Sequence, residues 1–131
     1  MRRAGGVAAL AVAAALLGCG TGTEDLMALD VTGGPARVRD RLRVTNDGRA
    51  SCGGELRTIP NALLLDAREV KRSLRPLARR GASFQAARAG ARRYEFRSFD
   101  GTVRWSEGAH GPSALGHATL LALRLERELC R

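Results

Sequence analysis

Two alternating runs meet at Asp100-Gly101, and this stretch, from Arg92 to Glu107, constrains the fold more tightly than any other. Alternation of apolar and polar side chains is the period of a half-buried strand, and Asp-Gly supplies the backbone of a two-residue hairpin turn. Such a turn pairs Phe99 with Thr102, Ser98 with Val103, Arg97 with Arg104, Phe96 with Trp105 and Tyr94 with Glu107. Tyr94, Phe96, Val103 and Trp105 then share one face, while Arg93, Glu95, Arg97 and Arg104 lie on the other. Arginines opposite one another are tolerated only in water, so the aromatic face is the buried one. Phe84, Tyr94, Phe96, Phe99 and Trp105 are all the aromatic residues of the chain. The bulky core contacts therefore centre on this hairpin, and Tyr94 and Trp105 read as core packing in preference to a ligand platform.

The remaining elements follow from the same periods. Leu26 to Val31 is apolar enough for a first strand, ended by Gly33-Gly34-Pro35. From Arg37 to Val44 the chain alternates again, with Val38, Leu42 and Val44 inward, Arg37, Arg39, Arg41 and Arg43 outward, and Asp40 interrupting the apolar side. Asn46-Asp47-Gly48 turns the chain into a short return strand, Arg49 to Cys52. Asp66 and Glu69 have the spacing of a capping box, followed by a helical stripe of Val70, Leu74 and Leu77. Pro76 predicts a kink or an end near Arg75, and Gly81 marks the stop. Lys71, Arg72, Arg75, Arg79 and Arg80 fall on the outward side of this helix, as a solvated face or a docking patch for something acidic. A last helix opens at Pro112-Ser113, with Ser113 as its N-cap, and buries Leu115, Ala118, Leu121, Ala122, Leu125 and Leu129. The expected class is α+β: an antiparallel sheet of about four to five strands with two helices on one face.

The first 19 residues carry a different signal. Arg2-Arg3 form a basic start, an uncharged small-apolar run extends from Ala4 to Leu17, and Gly18-Cys19 closes it. The run is too short to cross a bilayer comfortably, where about 20 residues are needed. Leu16-Leu17-Gly18-Cys19 resembles the lipobox of bacterial lipoproteins. That resemblance implies diacylglyceryl attachment to Cys19, cleavage before it, and a chain held on the extracytoplasmic face of the cell membrane. The expected organisation is a signal peptide over 1–18, a tether over 19–25 and one α+β domain over 26–131, a length suited to a single core.

The net charge of +9 does not by itself indicate nucleic acid. Lys71 is the only lysine, so the basic excess is almost wholly arginine, the composition that GC-rich codons produce. Polyanion binders commonly use both lysine and arginine, and nucleic-acid readers interleave aromatics for stacking on bases. Two cysteines remain beyond Cys19. In an oxidising compartment Cys52 and Cys130 are most simply one disulfide, closing a loop of about 77 residues that contributes roughly 4 kcal/mol. Neither His110 nor His117 has metal-ligand spacing to a cysteine, so no metal or other cofactor is expected.

Catalytic patterns are not apparent. Glu107, His110 and Ser113 lie in one short segment with nothing to orient them as a triad. The reading is a membrane-anchored binding module with an envelope or secreted protein as partner. The alternatives are a structural protein that binds anionic polymers through Arg72, Arg75, Arg79 and Arg80, and a small lipoprotein enzyme. The order of elements also resembles the emfourin-like family of small protease inhibitors. The shared features are Gly33-Gly34 after the first strand, a leucine-bearing helix ending before Phe84, Tyr94-Glu95-Phe96 running into Asp100-Gly101, and a terminal helix with Pro112 and Leu115. Arg93 stands where that family tends to have an acidic residue, and Cys52 and Cys130 are additional. The resemblance implies a fold and an inhibitor-like role, without assigning an inhibitory residue.

Overall fold

The computed structural model describes residues 25–86 and 88–130. The signal segment, Cys19 and the tether as far as Glu24 lie outside the described residues, as does Arg131. The described chain forms β1 (Asp25–Gly33), β2 (Val38–Thr45), β3 (Arg49–Cys52), β4 (Arg57–Thr58), α1 (Asn61–Arg79), β5 (Ser83–Phe84), β6 (Arg93–Ser98), β7 (Gly101–Ser106) and α2 (Ser113–Leu129). All strands join one sheet in the order β4-β3-β2-β1-β6-β7-β5. The α+β class stands, but the sheet is mixed and has seven strands, because β5 runs parallel to β7. Strands β4 and β5 have two residues each, too few for any period to show in the sequence.

Alternation sorts the side chains into two faces. Met27, Leu29 and Val31 of β1, Leu42 and Val44 of β2, Tyr94 and Phe96 of β6, and Val103 and Trp105 of β7 are all buried. They meet Leu63, Leu64, Val70, Leu74 and Leu77 of α1 and Leu115, Leu121, Leu125 and Leu129 of α2 in one continuous core. Trp105 stacks on Tyr94 with ring centres 5.2 Å apart, and its Nε1–H donates to Thr119 Oγ1 at 3.0 Å. The aromatic pair is core, with its polar atom satisfied from α2.

The register of the β6–β7 hairpin differs from the expected one by two residues. Tyr94 pairs with Trp105, Phe96 with Val103, Arg97 with Thr102 and Ser98 with Gly101, so the turn is Phe99-Asp100. A slip of two preserves both faces, since side chains alternate with that period. It also replaces the Arg97–Arg104 opposition by Glu95 opposite Arg104, joined at 2.9 Å. Gly101, at φ 135°, lies so close to α1 that an added Cβ would stand 2.2 Å from the Ala78 carbonyl oxygen.

Three helix-boundary expectations are also corrected. Helix α1 starts at Asn61 after Pro60, a full turn before Asp66, which instead reaches across to Arg124 of α2. Leu63 and Leu64 explain the early start, because packing on the sheet stabilises turns that local capping alone would not define. Pro76 neither ends nor shortens α1, which runs on to Arg79. Pro76 is on the exposed side, where water can serve the Arg72 carbonyl that its missing N–H leaves unbonded. Ser113 is the first residue of α2, Pro112 occupies the cap position, and no side chain caps this helix.

Cys52 and Cys130 form a disulfide, with Cα atoms 5.4 Å apart across a separation of 78 residues. It fastens the end of α2 to β3, and Arg57 reinforces the junction by donating from Nη2 to the Leu129 carbonyl at 2.7 Å.

Candidate functional site

Strand β1 sits at the centre of the sheet between β2 and β6, and this position builds a surface that neither hairpin has alone. On the face without helices, Thr32 lies between Arg39 of β2 and Arg93 of β6. One pleat along, Asp30 lies between Arg41 and Glu95, and Glu95 faces Arg104. One pleat further, Ala28 lies between Arg43 and Arg97. Six arginines thus share the open face with Asp25, Asp30 and Glu95.

The carboxylates are committed. Arg97 donates from Nη1 to Asp30 Oδ2 and to Glu95 Oε1, both at 2.9 Å, and Arg104 Nε donates to Glu95 Oε2 at 2.9 Å. These bonds from Arg104 and Arg97 hold the Glu95 carboxyl below its ordinary pKa. Asp25 is taken by Arg43. Among the described residues, Arg39, Arg41 and Arg93 have no carboxylate within ion-pair distance, and they ring Thr32. A shallow depression of about 350 Å³ runs alongside, between Asp30, Thr32, Gln85, Arg93, Glu95 and Arg104. Its rim of guanidinium groups suits carboxylates, which they bind in a bidentate fork.

The arginines of α1 are placed differently. Arg72 pairs with Glu69 on the same helix, and Arg75 and Arg79 both approach Asp100 in the β6–β7 turn, at 3.4 and 3.8 Å. Arg80 follows the helix end, exposed and without an ion pair among the described residues. A second depression, about 260 Å³, lies between the helices, with Val70, Ser73, His117 and Leu120 in its wall, beside the Asp66–Arg124 ion pair. Glu107, His110 and Ser113 are exposed in the segment from β7 into α2, and no hydrogen bond among the described residues joins them. Asp40 comes within 4.8 Å of the sulfurs of Cys52 and Cys130, but those sulfurs are bonded to each other, leaving a single carboxylate as a ligand.

Under the end of α2 the polar contacts are partly buried. Glu126 accepts a hydrogen bond from Arg92, whose guanidinium also lies 5.8 Å from the Tyr94 ring centre. Burial, and then the neighbouring Asp40 carboxyl, push the Glu126 pKa up despite Arg92. A raised native pKa means that the native state takes up a proton more readily than the unfolded chain. As pH falls from neutrality towards the ordinary value of 4.5, Glu126 therefore adds stability. Glu95 acts oppositely: its contribution is complete above 4.5 and is lost as pH falls through its depressed pKa. Melting temperature measured against pH is expected to peak in mildly acidic solution. Glu126→Gln should flatten the rise towards that peak, and Glu95→Gln should soften the fall below it.

The pairing of β1 with β6 is what the sequence reading missed. Arg39, Arg41 and Arg43 stand out in one run and Arg93, Glu95 and Arg97 in another, but no local pattern says that the two strands flank β1. Asp30, a single acid in an apolar strand, was the available clue. Comparison with known proteins adds no relative: no family model, no curated protein and no solved structure matches this chain.

Proposed function

We propose that this protein is a lipid-anchored binding module on the extracytoplasmic side of the membrane, and that it engages an acidic protein surface through the open face of its sheet. The address rests on the lipobox-like Leu16-Leu17-Gly18-Cys19, and the Cys52–Cys130 disulfide supports it, since such bonds persist in oxidising compartments. The observation that carries the binding role is the cluster of Arg39, Arg41 and Arg93, three cations without carboxylate partners among the described residues, on the face of the sheet without helices. Their complement is a partner surface rich in aspartate and glutamate. A secreted protease is one such partner, in keeping with the emfourin-like resemblance. The polymer-binding alternative through α1 has less support, because Arg72, Arg75 and Arg79 already face carboxylates. An enzymatic role has the least, with Glu107, His110 and Ser113 exposed and unconnected.

Reversing the three charges tests the binding role. Arg39, Arg41 and Arg93 hold no ion pair among the described residues, so the combined Arg39→Glu, Arg41→Glu and Arg93→Glu variant should fold normally. Cross-linking in envelope preparations should capture a defined acidic partner with the parent protein and lose it with the variant. The captured amount should fall steeply as salt is raised. Equal capture by both proteins contradicts the proposed face.

A further inference from the structure

We infer that one end of the domain, formed by the β6–β7 turn, the last turn of α1 and the start of β1, rests on the bilayer with Phe99 among the lipid headgroups. The inference builds on the anchored reading above and adds an orientation and a second contact to it.

Phe99 is 98% exposed, at the tip of the two-residue turn. A single exposed apolar side chain is ordinary on a protein surface, but this one is held out by its surroundings. Its neighbour Asp100 lies between Arg75 and Arg79, the Asp100 N–H donates to Ser98 Oγ at 3.2 Å, and Gly101 is seated against the Ala78 carbonyl. The turn is thereby tied to the end of α1, while the Phe99 side chain stays almost wholly exposed.

The entry point of the chain lies at the same end. Strand β1 runs antiparallel to β6 with Ala28 opposite Arg97, which brings the Asp25 end of β1 beside the β6–β7 turn. Cys19 precedes Asp25 by six positions, a span of at most about 20 Å when fully extended. An acyl group on Cys19 therefore holds this end of the domain, and not the opposite one, next to lipid. Arg75 and Arg79 meet Asp100, the residue next to Phe99, and Arg80 follows them at the end of α1, exposed and without an ion pair among the described residues. An aromatic ring flanked by long cationic side chains suits the bilayer interface, where the ring enters the headgroup layer and the guanidinium groups meet lipid phosphates. A soluble partner with a pocket for Phe99 is the competing occupant, and the test separates the two.

The test uses the chain from residue 19 onward with Cys19→Ser, which cannot be acylated and retains the whole described core and its disulfide. Sedimentation with vesicles of equal parts phosphatidylglycerol and phosphatidylcholine should pull this protein down, and pure phosphatidylcholine should do so far more weakly. Phe99→Ser should weaken binding to the anionic vesicles about ten-fold. Arg80→Glu should weaken it about five-fold or more. Both positions are exposed, so melting temperatures should not change. In a Phe99→Trp variant, tryptophan emission should shift to the blue on vesicle addition, against a constant contribution from buried Trp105. The inference is overturned if the parent ignores both vesicles, if Phe99→Ser and Arg80→Glu bind like the parent, or if the Phe99→Trp emission does not move. A natural protein without acylated Cys19 would remove the anchored reading while leaving the vesicle result standing. Failure on vesicles with Cys19 acylated removes only the docking of Phe99.

Discussion

Replacing both Cys52 and Cys130 by alanine lowers the stability of the domain by about 4 kcal/mol, read as a fall in the denaturant midpoint, with a steeper slope because the uncrosslinked unfolded chain exposes more surface. The loop it opens, 78 residues in separation, takes in β4, α1, β5, β6, β7 and α2, so most of the chain gains freedom in the unfolded state. The native state changes less. The end of α2 keeps its Leu125 and Leu129 contacts with the core and the Arg57 bond to the Leu129 carbonyl. A domain of this size has on the order of 5–10 kcal/mol in total, so the double variant should be folded but marginal. Adding a reductant to the parent protein should reproduce the loss. If the alanine variant and the parent melt together, the bond is not what secures α2 to β3.

Gly101→Ala is expected to cost about 3 kcal/mol or more, a large effect for the addition of one methyl group. The residue has φ 135°, outside the range that an L side chain accepts without strain, and the new Cβ would lie 2.2 Å from the Ala78 carbonyl oxygen. Both elements at that contact are backbone, so relief requires the β6–β7 turn to part from the end of α1. The Asp100 contacts with Arg75 and Arg79 would go with it. Gly81→Ala is the matching control: φ is also positive, at 61°, but nothing lies within 4 Å of the added atom. That change should cost only about 1 kcal/mol. A thermal or denaturant comparison of the two variants separates strain in φ from steric contact with α1, and equal losses would contradict the close approach.

The same glycine shows where legibility in the sequence stops. The alternation of Tyr94, Phe96, Val103 and Trp105 correctly identifies the buried face, because a face depends only on odd and even positions. The register depends on which residues occupy the turn, and Asp100-Gly101 is a strong local turn signal. Tertiary contacts override it: the displaced register stacks Tyr94 on Trp105, sets Glu95 against Arg104 and seats Gly101 under α1. None of these is visible within the hairpin's own pattern. Helix α2 and the Cys52–Cys130 pair were readable, one from a long leucine stripe and the other from the number of cysteines. The start of α1 was not, because Leu63 and Leu64 reward burial on the sheet while Asp66 and Glu69 imitate a cap.

The candidate surface follows the same division. Each arginine run was apparent, and its outward direction followed from alternation. Their union required knowing that β1 pairs with β6 over a separation that includes α1. The net charge of the chain therefore says little, whereas its placement says more. Acidic groups on the open face are bonded to Arg43, Arg97 and Arg104, and the cations without an ion pair among the described residues gather around Thr32.

The proposed partner surface is the open sheet face, and the proposed membrane contact is the β6–β7 turn with Phe99. Both roles depend on the domain being held at the outer surface by Cys19. Intact-mass analysis of the natural protein, extracted from membranes without reductant, tests this most directly. The account requires a chain that begins at a diacylglyceryl-bearing Cys19, lighter by two hydrogens than its reduced form because Cys52 and Cys130 are joined. A protein found only in the soluble fraction with an unmodified Cys19 would contradict it.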